Sequence, residues 1–306
     1  MPLDKPSPIL SDNHLHTRRS FDGQMDMAVA CRAAVDGGLA SVCFTEHFSV
    51  LDHDPSYRYL DQAAYLADWE SCTRQYAGRL EIGLGLEIGE PHRHPREIAA
   101  ACSGLPLDFV IGSIHNIGRE KLRMYQSRHG AQAAYAAYFT AVLAMAEAGD
   151  IDVIGHLDLM KRYAGENYRY QDYAPLIDRV LQTAVRRGIG LEINASNLDA
   201  TGGAAPGEFF PGDPVLARYR ELGGEIITFG SDAHRPEAVG RHAEAAAERL
   251  RRLGFRCWCR FRGRRPEFFS LYHEDTQRLQ KCVGAPAPGA ASQRQHFCLE
   301  NPPGFL

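Results

Sequence analysis

The sequence lacks three features that mark common classes of protein. It contains no uninterrupted apolar run of about 18 residues, so we expect no transmembrane helix and no membrane partner. Its first residues lack the basic and apolar regions of a signal peptide. Its eight cysteines form no CxxC pair and no regular framework of spacings. We therefore expect a cytoplasmic protein without structural disulfides.

The sequence also lacks an excess of basic residues. Its 34 Lys and Arg residues are outnumbered by 38 Asp and Glu residues, which gives a formal net charge of −4. A protein that binds the nucleic-acid backbone usually carries a basic surface, so we expect no nucleic-acid partner. With 306 residues, 44% of them hydrophobic, the chain can form one large domain or two ordinary ones, and its composition is that of a globular enzyme.

Short apolar runs recur along the chain, and polar side chains follow each of them. The runs are rich in Val, Ile and Phe and alternate little, which is typical of strands covered on both faces. They occupy seven segments: 9–10, 39–45, 80–86, 109–114, 151–155, 189–193 and 225–230. Helical patterns separate most of these runs and occupy 25–37, 62–76, 131–148, 173–187, 214–222 and 236–253.

Alternating strands and helices indicate parallel βα units, which form either an open sheet or a closed barrel. A barrel brings the carboxyl ends of its strands to one rim, where active sites lie, whereas an open sheet does not easily bring seven strand ends together. Each run except the sixth ends in a metal-ligand type of residue, and the sixth ends in Asn194. We therefore predict a seven-stranded β/α barrel. Residues 257–261 could add a short strand, and 268–280 could form one more helix.

The residues at the strand ends are of types that bind transition metals. His14 and His16 are two positions apart after the first run, so both imidazoles lie on one face of an extended segment. The ends of the other runs supply His47, Glu87, His115, His156, Asp232 and His234. Nitrogen and oxygen ligands without a thiolate suit Zn, Mn or Fe. The repetition of ligand types at strand ends predicts a metal site.

Six short motifs carry these ligands. They are Asp12-x-His14-x-His16, Thr45-Glu46-His47, Gly85-Leu86-Glu87, Gly112-Ser113-Ile114-His115, Gly155-His156-Leu157-Asp158 and Ser231-Asp232-Ala233-His234. Together they resemble the PHP (polymerase and histidinol phosphatase) superfamily from about Ile9 to about Phe269. Within that span, 111–115, 153–163 and 192–194 look most like the monofunctional histidinol-phosphate phosphatases. The resemblance implies a distorted seven-stranded TIM-like barrel over 1–270, and we expect 271–306 to add a C-terminal helix and a poorly ordered tail.

The resemblance also implies a centre of two to three divalent metal ions. Carried over to this chain, His14, His16, Glu87 and Asp232 hold the first ion, Glu87 bridges to a second held by His115 and His156, and Asp22, His47 and His234 hold the third. Asp22 could instead cap a turn or the helix near Met25. We expect Glu46 to orient a ligand imidazole and Glu192 to be buried and paired.

A phosphate substrate needs cations beyond the metals, because its charge must be neutralised. The candidates that follow strand ends are Arg162, Lys161, Arg119 and Arg18, together with Arg19 and Lys121, and Asn194 is a polar candidate at the same rim. An arginine can bind two phosphate oxygens at once. For each of these cations, a solvated loop charge is the alternative.

The resemblance implies hydrolysis of a phosphate monoester by a metal-activated hydroxide, with Asp232 and His234 as catalytic residues. The expected substrate is a small phosphorylated metabolite, with L-histidinol phosphate of histidine biosynthesis as the leading candidate. Two alternatives stay open: another PHP phosphoesterase that acts on nucleotides or small phosphodiesters, and a PHP module without catalysis. The sequence does not indicate an oligomeric state.

Overall fold

Parallel strands with a common direction form the centre of the molecule. The computed structural model describes residues 10–165, 168–199 and 207–272. The strands are β1 (Ser11–Leu15), β2 (Ser41–Phe48), β3 (Glu81–Gly89), β4 (Phe109–Ser113), β5 (Asn116–Ile117), β6 (Glu120–Lys121), β7 (Val153–Ile154), β8 (Gly190–Asn194) and β9 (Ile227–Gly230). β5 and β6 form a separate hairpin, and the other seven neighbour one another in chain order with parallel pairing. The seven predicted strands are confirmed.

Helices cover the outside of these strands. They are α1 (Met27–Asp36), α2 (Gln62–Gln75), α3 (Pro95–Cys102), α4 (Leu122–His129), α5 (Ala131–Ala148), α6 (Lys161–Ala164), α7 (Tyr170–Arg187), α8 (Asp213–Glu221) and α9 (Ala243–Arg252). The Asp61 side chain caps α2 by accepting the Ala64 N–H at 3.0 Å. Gly188 ends α7 in the left-handed conformation. Among the described residues, no helix has the length and apolar character that a membrane span requires.

The barrel closes between β1 and β9 through single hydrogen bonds. The Asn13 side chain donates to the Phe229 carbonyl at 3.2 Å. The His16 N–H donates to the Ala233 carbonyl, and the Asp232 N–H donates to the His14 carbonyl, both at 2.9 Å. This closure is looser than the continuous ladders between the other neighbouring strands, so the barrel is nearly closed. It also brings the first and last predicted ligand motifs side by side.

A hairpin covers the amino ends of the barrel strands, opposite the rim of predicted ligands. It consists of β10 (Cys257–Arg262) and β11 (Arg265–Ser270), which pair antiparallel. Phe261 stacks on Phe109 with ring centroids 4.9 Å apart, and the Gly263 N–H donates to the Asp108 carboxylate at 2.9 Å. The extra strand predicted near 257–261 is therefore confirmed.

Two helix predictions need correction. The predicted helix over 236–253 is split, because Gly240 and His242 adopt φ values of +67° and +68° between a 3-10 turn (Pro236–Ala238) and α9. The helix predicted from 268 is wrong for 268–270, which pair within β11 and pack Phe268 against the base of the barrel. The helix and tail predicted over 271–306 lie, from 273 onward, outside the described residues.

Candidate metal centre

Glu87 lies at the centre of a cluster of imidazoles at the carboxyl end of β3. Its side chain is buried. One oxygen, Oε2, is 3.3 Å from His14 Nε2 and 2.8 Å from His47 Nδ1. The other, Oε1, is 3.2 Å from His115 Nε2 and 2.9 Å from His156 Nε2. One carboxylate thus contacts side chains from four different strand ends, and a carboxylate with two oxygens can bridge two cations.

Asp232 joins the two histidines of the first motif. Its Oδ1 is 3.6 Å from His14 Nε2 and 3.3 Å from His16 Nε2. The residue adopts a φ of +57°, which is rare outside glycine and is found mainly where a site constrains the backbone. This backbone turn follows β9 directly. It points the carboxylate across the seam of the barrel toward β1.

Asp22 faces the imidazoles of His47 and His234. Its oxygens are 3.5 Å from His47 Nε2 and 3.4 Å from His234 Nε2. The alternative role as a helix cap is wrong, because Asp26 occupies the position before α1. The structure therefore brings all nine predicted ligands into one cluster, with Asp22 contributed by the loop between β1 and α1.

Three groups of ligand atoms are compact enough to hold an ion. Within each group the atoms lie no more than 4.8 Å apart: His14, His16 and Asp232; His16, His47 and His234; and His47, Glu87 and His115. The first group matches three of the four residues predicted for the first ion. The other two groups mix residues predicted for different ions. Proximity alone thus supports a shared cluster and does not reproduce the predicted division into three sets.

Several atoms of this cluster are buried without a hydrogen-bond partner. They include His14 Nε2, His16 Nε2 and Glu87 Oε2. A buried polar atom that lacks a partner costs free energy, so such atoms call for an explanation. A divalent cation would supply the missing partner for a nitrogen lone pair and for a carboxylate oxygen alike. The donor set of imidazoles and carboxylates therefore fits a transition-metal centre.

Strong electrostatic coupling accompanies this burial. Burial would raise the pKa of Glu87, but the nearby imidazoles of His14 and His115 lower it well below its usual value. Burial would lower the pKa of His47, but Glu87 and Asp22 raise it to about 10. The pKa of His16 is lowered by burial and by the neighbouring imidazoles of His47 and His234. In the absence of cations, protons on some imidazoles balance the buried carboxylates.

Glu192 supports two ligands from behind. Its Oε1 accepts the Nδ1 hydrogen of His14 at 2.6 Å, and its Oε2 accepts the His156 N–H at 2.8 Å and an Asn194 amide hydrogen at 3.1 Å. A carboxylate behind a ligand imidazole fixes its tautomer and orientation. Gly230 allows this arrangement, because a Cβ there would lie 2.0 Å from Glu192 Oε1. The expectation that Glu192 is buried and paired is confirmed.

Glu46 and Asp12 hold backbone and hydroxyl groups. Glu46 accepts hydrogen bonds from the hydroxyls of Thr17 and Ser20, at 2.6 and 2.5 Å, so it does not orient the adjacent His47 directly. Asp12 accepts the N–H groups of Ser231 and Gly240. Asp12 thereby ties β1 to the segments that follow β9.

A cleft opens above the cluster, and some of the predicted phosphate-binding cations line it while others do not. Its lining includes Phe21, Tyr163, Lys121, Arg123 and Arg162, together with seven of the predicted ligands and with Asp54, Leu122 and Leu159. Arg162 donates to Ser196 Oγ at 2.7 Å and lies over the Phe210 ring. Lys121 is paired with Asp54 at 3.0 Å.

The remaining candidates lie elsewhere. Lys161 is buried between Asp158 and Glu208, Arg119 pairs with Asp52, and Arg18 is exposed beside Asp26. Asn194 lies below the rim, where its amide is 3.1 Å from Glu192 and 3.5 Å from Asp232. These three cations do not line the cleft, and each of them is paired with a nearby carboxylate.

Sequence reasoning missed Arg123. It lies in the first turn of α4, a helix of eight residues whose pattern is too short to recognise. Within the described part of the chain, Arg123 has no carboxylate partner, although it lines the cleft beside the predicted ligands. The number of residues between His115 and Arg123 does not predict that both line one cleft, because the β5–β6 hairpin between them determines where α4 begins.

Comparison with known proteins agrees with this geometry. The family model for the PHP domain matches residues 12–196. The probable histidinol-phosphatase of Deinococcus radiodurans is 30% identical over 258 residues, which cover 81% of this chain and 95% of that protein. The histidinol-phosphatase of Lactococcus lactis subsp. lactis is 26% identical over 265 residues, which cover 82% of this chain and 94% of that protein.

A solved structure has the same fold. The histidinol phosphate phosphatase HISK of Lactococcus lactis subsp. lactis, solved with Zn, L-histidinol and phosphate, superposes with a TM-score of 0.75 at 24% identity. The match covers 85% of this chain and 99% of that chain. Sequence and fold thus lead to the same relatives, and this chain belongs to the PHP domain family.

Proposed function

We propose that this protein is a metal-dependent phosphatase that hydrolyses L-histidinol phosphate to L-histidinol and phosphate. The observation that carries the proposal is the convergence of nine imidazole and carboxylate side chains in one cluster, seven of which line a cleft together with two arginines. Relatives named histidinol-phosphatase, over nearly their whole length, support the choice of substrate. The expected partner is therefore a small phosphorylated metabolite.

The nine side chains would hold two to three divalent ions. His14, His16, Glu87 and Asp232 would hold the first, Glu87 with His115 and His156 the second, and Asp22, His47 and His234 the third. Zn, Mn and Fe all suit such a donor set. When bound, such ions activate water and offset the charge of a phosphoryl group. Glu87 would bridge two of them, because its two oxygens face different imidazoles.

The protein's own groups complete the reaction. Asp232 directs Oδ1 at the imidazoles, while its Oδ2 lies 3.5 Å from Asn194. Oδ2 would accept the proton of the attacking water and return it to the leaving alkoxide. His234 lines the same cleft and is the second candidate for proton transfer. Arg162 and Arg123 would bind the phosphoryl oxygens, since no carboxylate of the residues that the structure describes pairs with either.

The walls of the cleft suit a small, partly aromatic leaving group. Phe21 is 39% exposed and stacks on His47 with ring centroids 5.3 Å apart. Tyr163 and Leu159 line the cleft as well. These apolar and aromatic side chains suit contact with the imidazole-bearing alcohol of histidinol phosphate.

The first test is phosphate release from a panel of esters. We expect L-histidinol phosphate to be hydrolysed with a kcat/KM at least about tenfold above those of nucleoside monophosphates, sugar bisphosphates and a cyclic diester. A chelator should abolish the activity, and added Zn or Mn should restore it. Preference for a nucleotide would reassign the substrate. Absence of phosphate release from every ester by metal-loaded protein would instead favour a PHP module without catalysis.

The second test separates a bridging ligand from a single-metal ligand. Glu87→Gln keeps the shape of the side chain but removes the charge that faces four imidazoles. We expect it to lower turnover by roughly 10³ or more and to lose more bound metal than His156→Ala does. Metal content by elemental analysis and turnover are measured on both variants. Full metal content in Glu87→Gln with a deficit in His156→Ala would show that Glu87 is not the bridge.

The third test follows the proton on His47. In the metal-free protein the pKa of His47 is about 10, against a usual 6.5. Protonation of His47 therefore stabilises the folded state fully below pH 6.5, and this stabilisation is lost as the pH rises through 10. A metal must displace that proton, so Zn affinity should rise by about tenfold per pH unit for this site between pH 6.5 and 8. His47→Gln should reduce the pH dependence by one proton. An unchanged slope would mean that His47 binds no metal or carries no proton.

The fourth test concerns the arginines of the cleft. Arg162→Met and Arg123→Met each remove a charged hydrogen bond to phosphate, which is worth about 1.5–3 kcal/mol, so each should lower kcat/KM roughly 10- to 100-fold. Arg128→Met is the matched control, because Arg128 lies on the same helix as Arg123 and pairs with Glu120 outside the cleft. Equal effects of Arg123→Met and Arg128→Met would show that α4 acts only through its overall charge.

A further inference from the structure

A single buried hydroxyl, that of Ser20, connects two of the candidate ligands. Ser20 is 1% exposed and belongs to the loop between β1 and α1. Its Oγ lies 2.5 Å from Glu46 Oε2, 2.8 Å from the backbone nitrogen of His47 and 3.2 Å from Nδ1 of His16. Neither Ser20 nor Glu46 is a candidate metal ligand, and the proposed reaction does not use either of them.

The hydrogen-bonding capacity of a hydroxyl assigns the direction of each contact. A serine hydroxyl offers one hydrogen and two lone pairs. An ionised carboxylate only accepts, so the hydrogen goes to Glu46, and the backbone N–H of His47 fills one lone pair. The remaining lone pair can only accept, which requires the hydrogen of His16 to be on Nδ1. His16 Nε2 is then left with a free lone pair, and it faces Glu87 and Asp232.

The neighbouring His14 has the same tautomer, but it contacts a carboxylate directly. His14 donates from Nδ1 directly to the Glu192 carboxylate at 2.6 Å. Glu46 cannot contact His16 in that way, because its two oxygens are taken up by Thr17 and Ser20. The buried charge of Glu46 therefore acts on His16 through the hydroxyl between them. Both Nε2 atoms are consequently available on the side of the cluster.

We propose that Ser20 is a positioning residue that holds His16 in its Nδ1-protonated tautomer and fixes the backbone of His47 against it. The proposal rests on the metal centre of the proposed function. His16 belongs to the set assigned to the first ion and His47 to the set assigned to the third. Ser20 thus couples the geometry of two ion sites, and Glu46 polarises the hydroxyl that does so.

Thr17 provides a matched control within the same network. Its hydroxyl donates to Glu46 Oε1 at 2.6 Å and is as deeply buried as that of Ser20, but no contact joins it to an imidazole. Thr17→Val and Ser20→Ala therefore each remove one buried hydroxyl from the same carboxylate. Only Ser20→Ala removes a contact to a candidate ligand. A difference between the two variants isolates the positioning role from general stability.

The test measures metal binding and tautomer state without reference to turnover. Zn²⁺ affinity is measured by competition with a chromophoric chelator, and Co²⁺ substitution reports ligand geometry in the visible spectrum. We expect Ser20→Ala to weaken Zn²⁺ binding by roughly 10- to 100-fold, as for the loss of other groups that support ligands, and to change the Co²⁺ spectrum. Thr17→Val should stay within about threefold of the wild type with an unchanged spectrum.

The tautomer is read in the metal-free protein by long-range ¹H–¹⁵N NMR of labelled histidines, with His16→Asn for assignment. The His16 signal should indicate Nδ1–H in the wild type and in Thr17→Val, and a mixture in Ser20→Ala. If Ser20→Ala does not fold, Ser20→Cys keeps a weak donor and acceptor of similar size, and it should give intermediate metal affinity. Equal losses in the Ser20 and Thr17 variants, or none in either, would overturn the proposal. If no ester of the panel is hydrolysed but the Ser20 and Thr17 variants still differ in metal affinity and tautomer, only the proposed function is overturned.

Discussion

The structure depends on one buried carboxylate surrounded by imidazoles. Glu87 contacts ligands from four strand ends, in a place where water cannot offset its charge. Removing such a charge from water costs several kcal/mol unless compensating groups surround it. A proton on His47 supplies part of this compensation when no cation is bound, in keeping with its raised pKa. Divalent cations would supply it more fully, which links the stability of the rim to its proposed chemistry.

A layer of fixed partners holds these ligands in place. Glu192 supports His14 and His156 directly, and Ser20 connects Glu46 to His16. At the seam between β1 and β9, single backbone hydrogen bonds stand in place of a continuous ladder. The side chains of Asn13 and Asp12 add contacts to Phe229 and Ser231 there.

The cleft carries acidic and basic groups in different places. Its floor is the cluster of acids and imidazoles, and its walls carry Arg123 and Arg162. Cations bound at this floor, together with the two arginines, would offset the charge of a phosphate monoester.

The sequence by itself determined the seven strands and the type of residue at the end of each. Both follow from local chemistry: the period of apolar residues defines a strand, and parallel strands place their carboxyl ends together. Only the tertiary structure decided which charge meets which partner. Lys161 is engaged by Asp158 and Glu208, Glu46 reaches Ser20 in place of His47, and Arg123 enters the cleft from a short helix. These outcomes depend on loops that bring distant residues together, and no spacing along the chain encodes them.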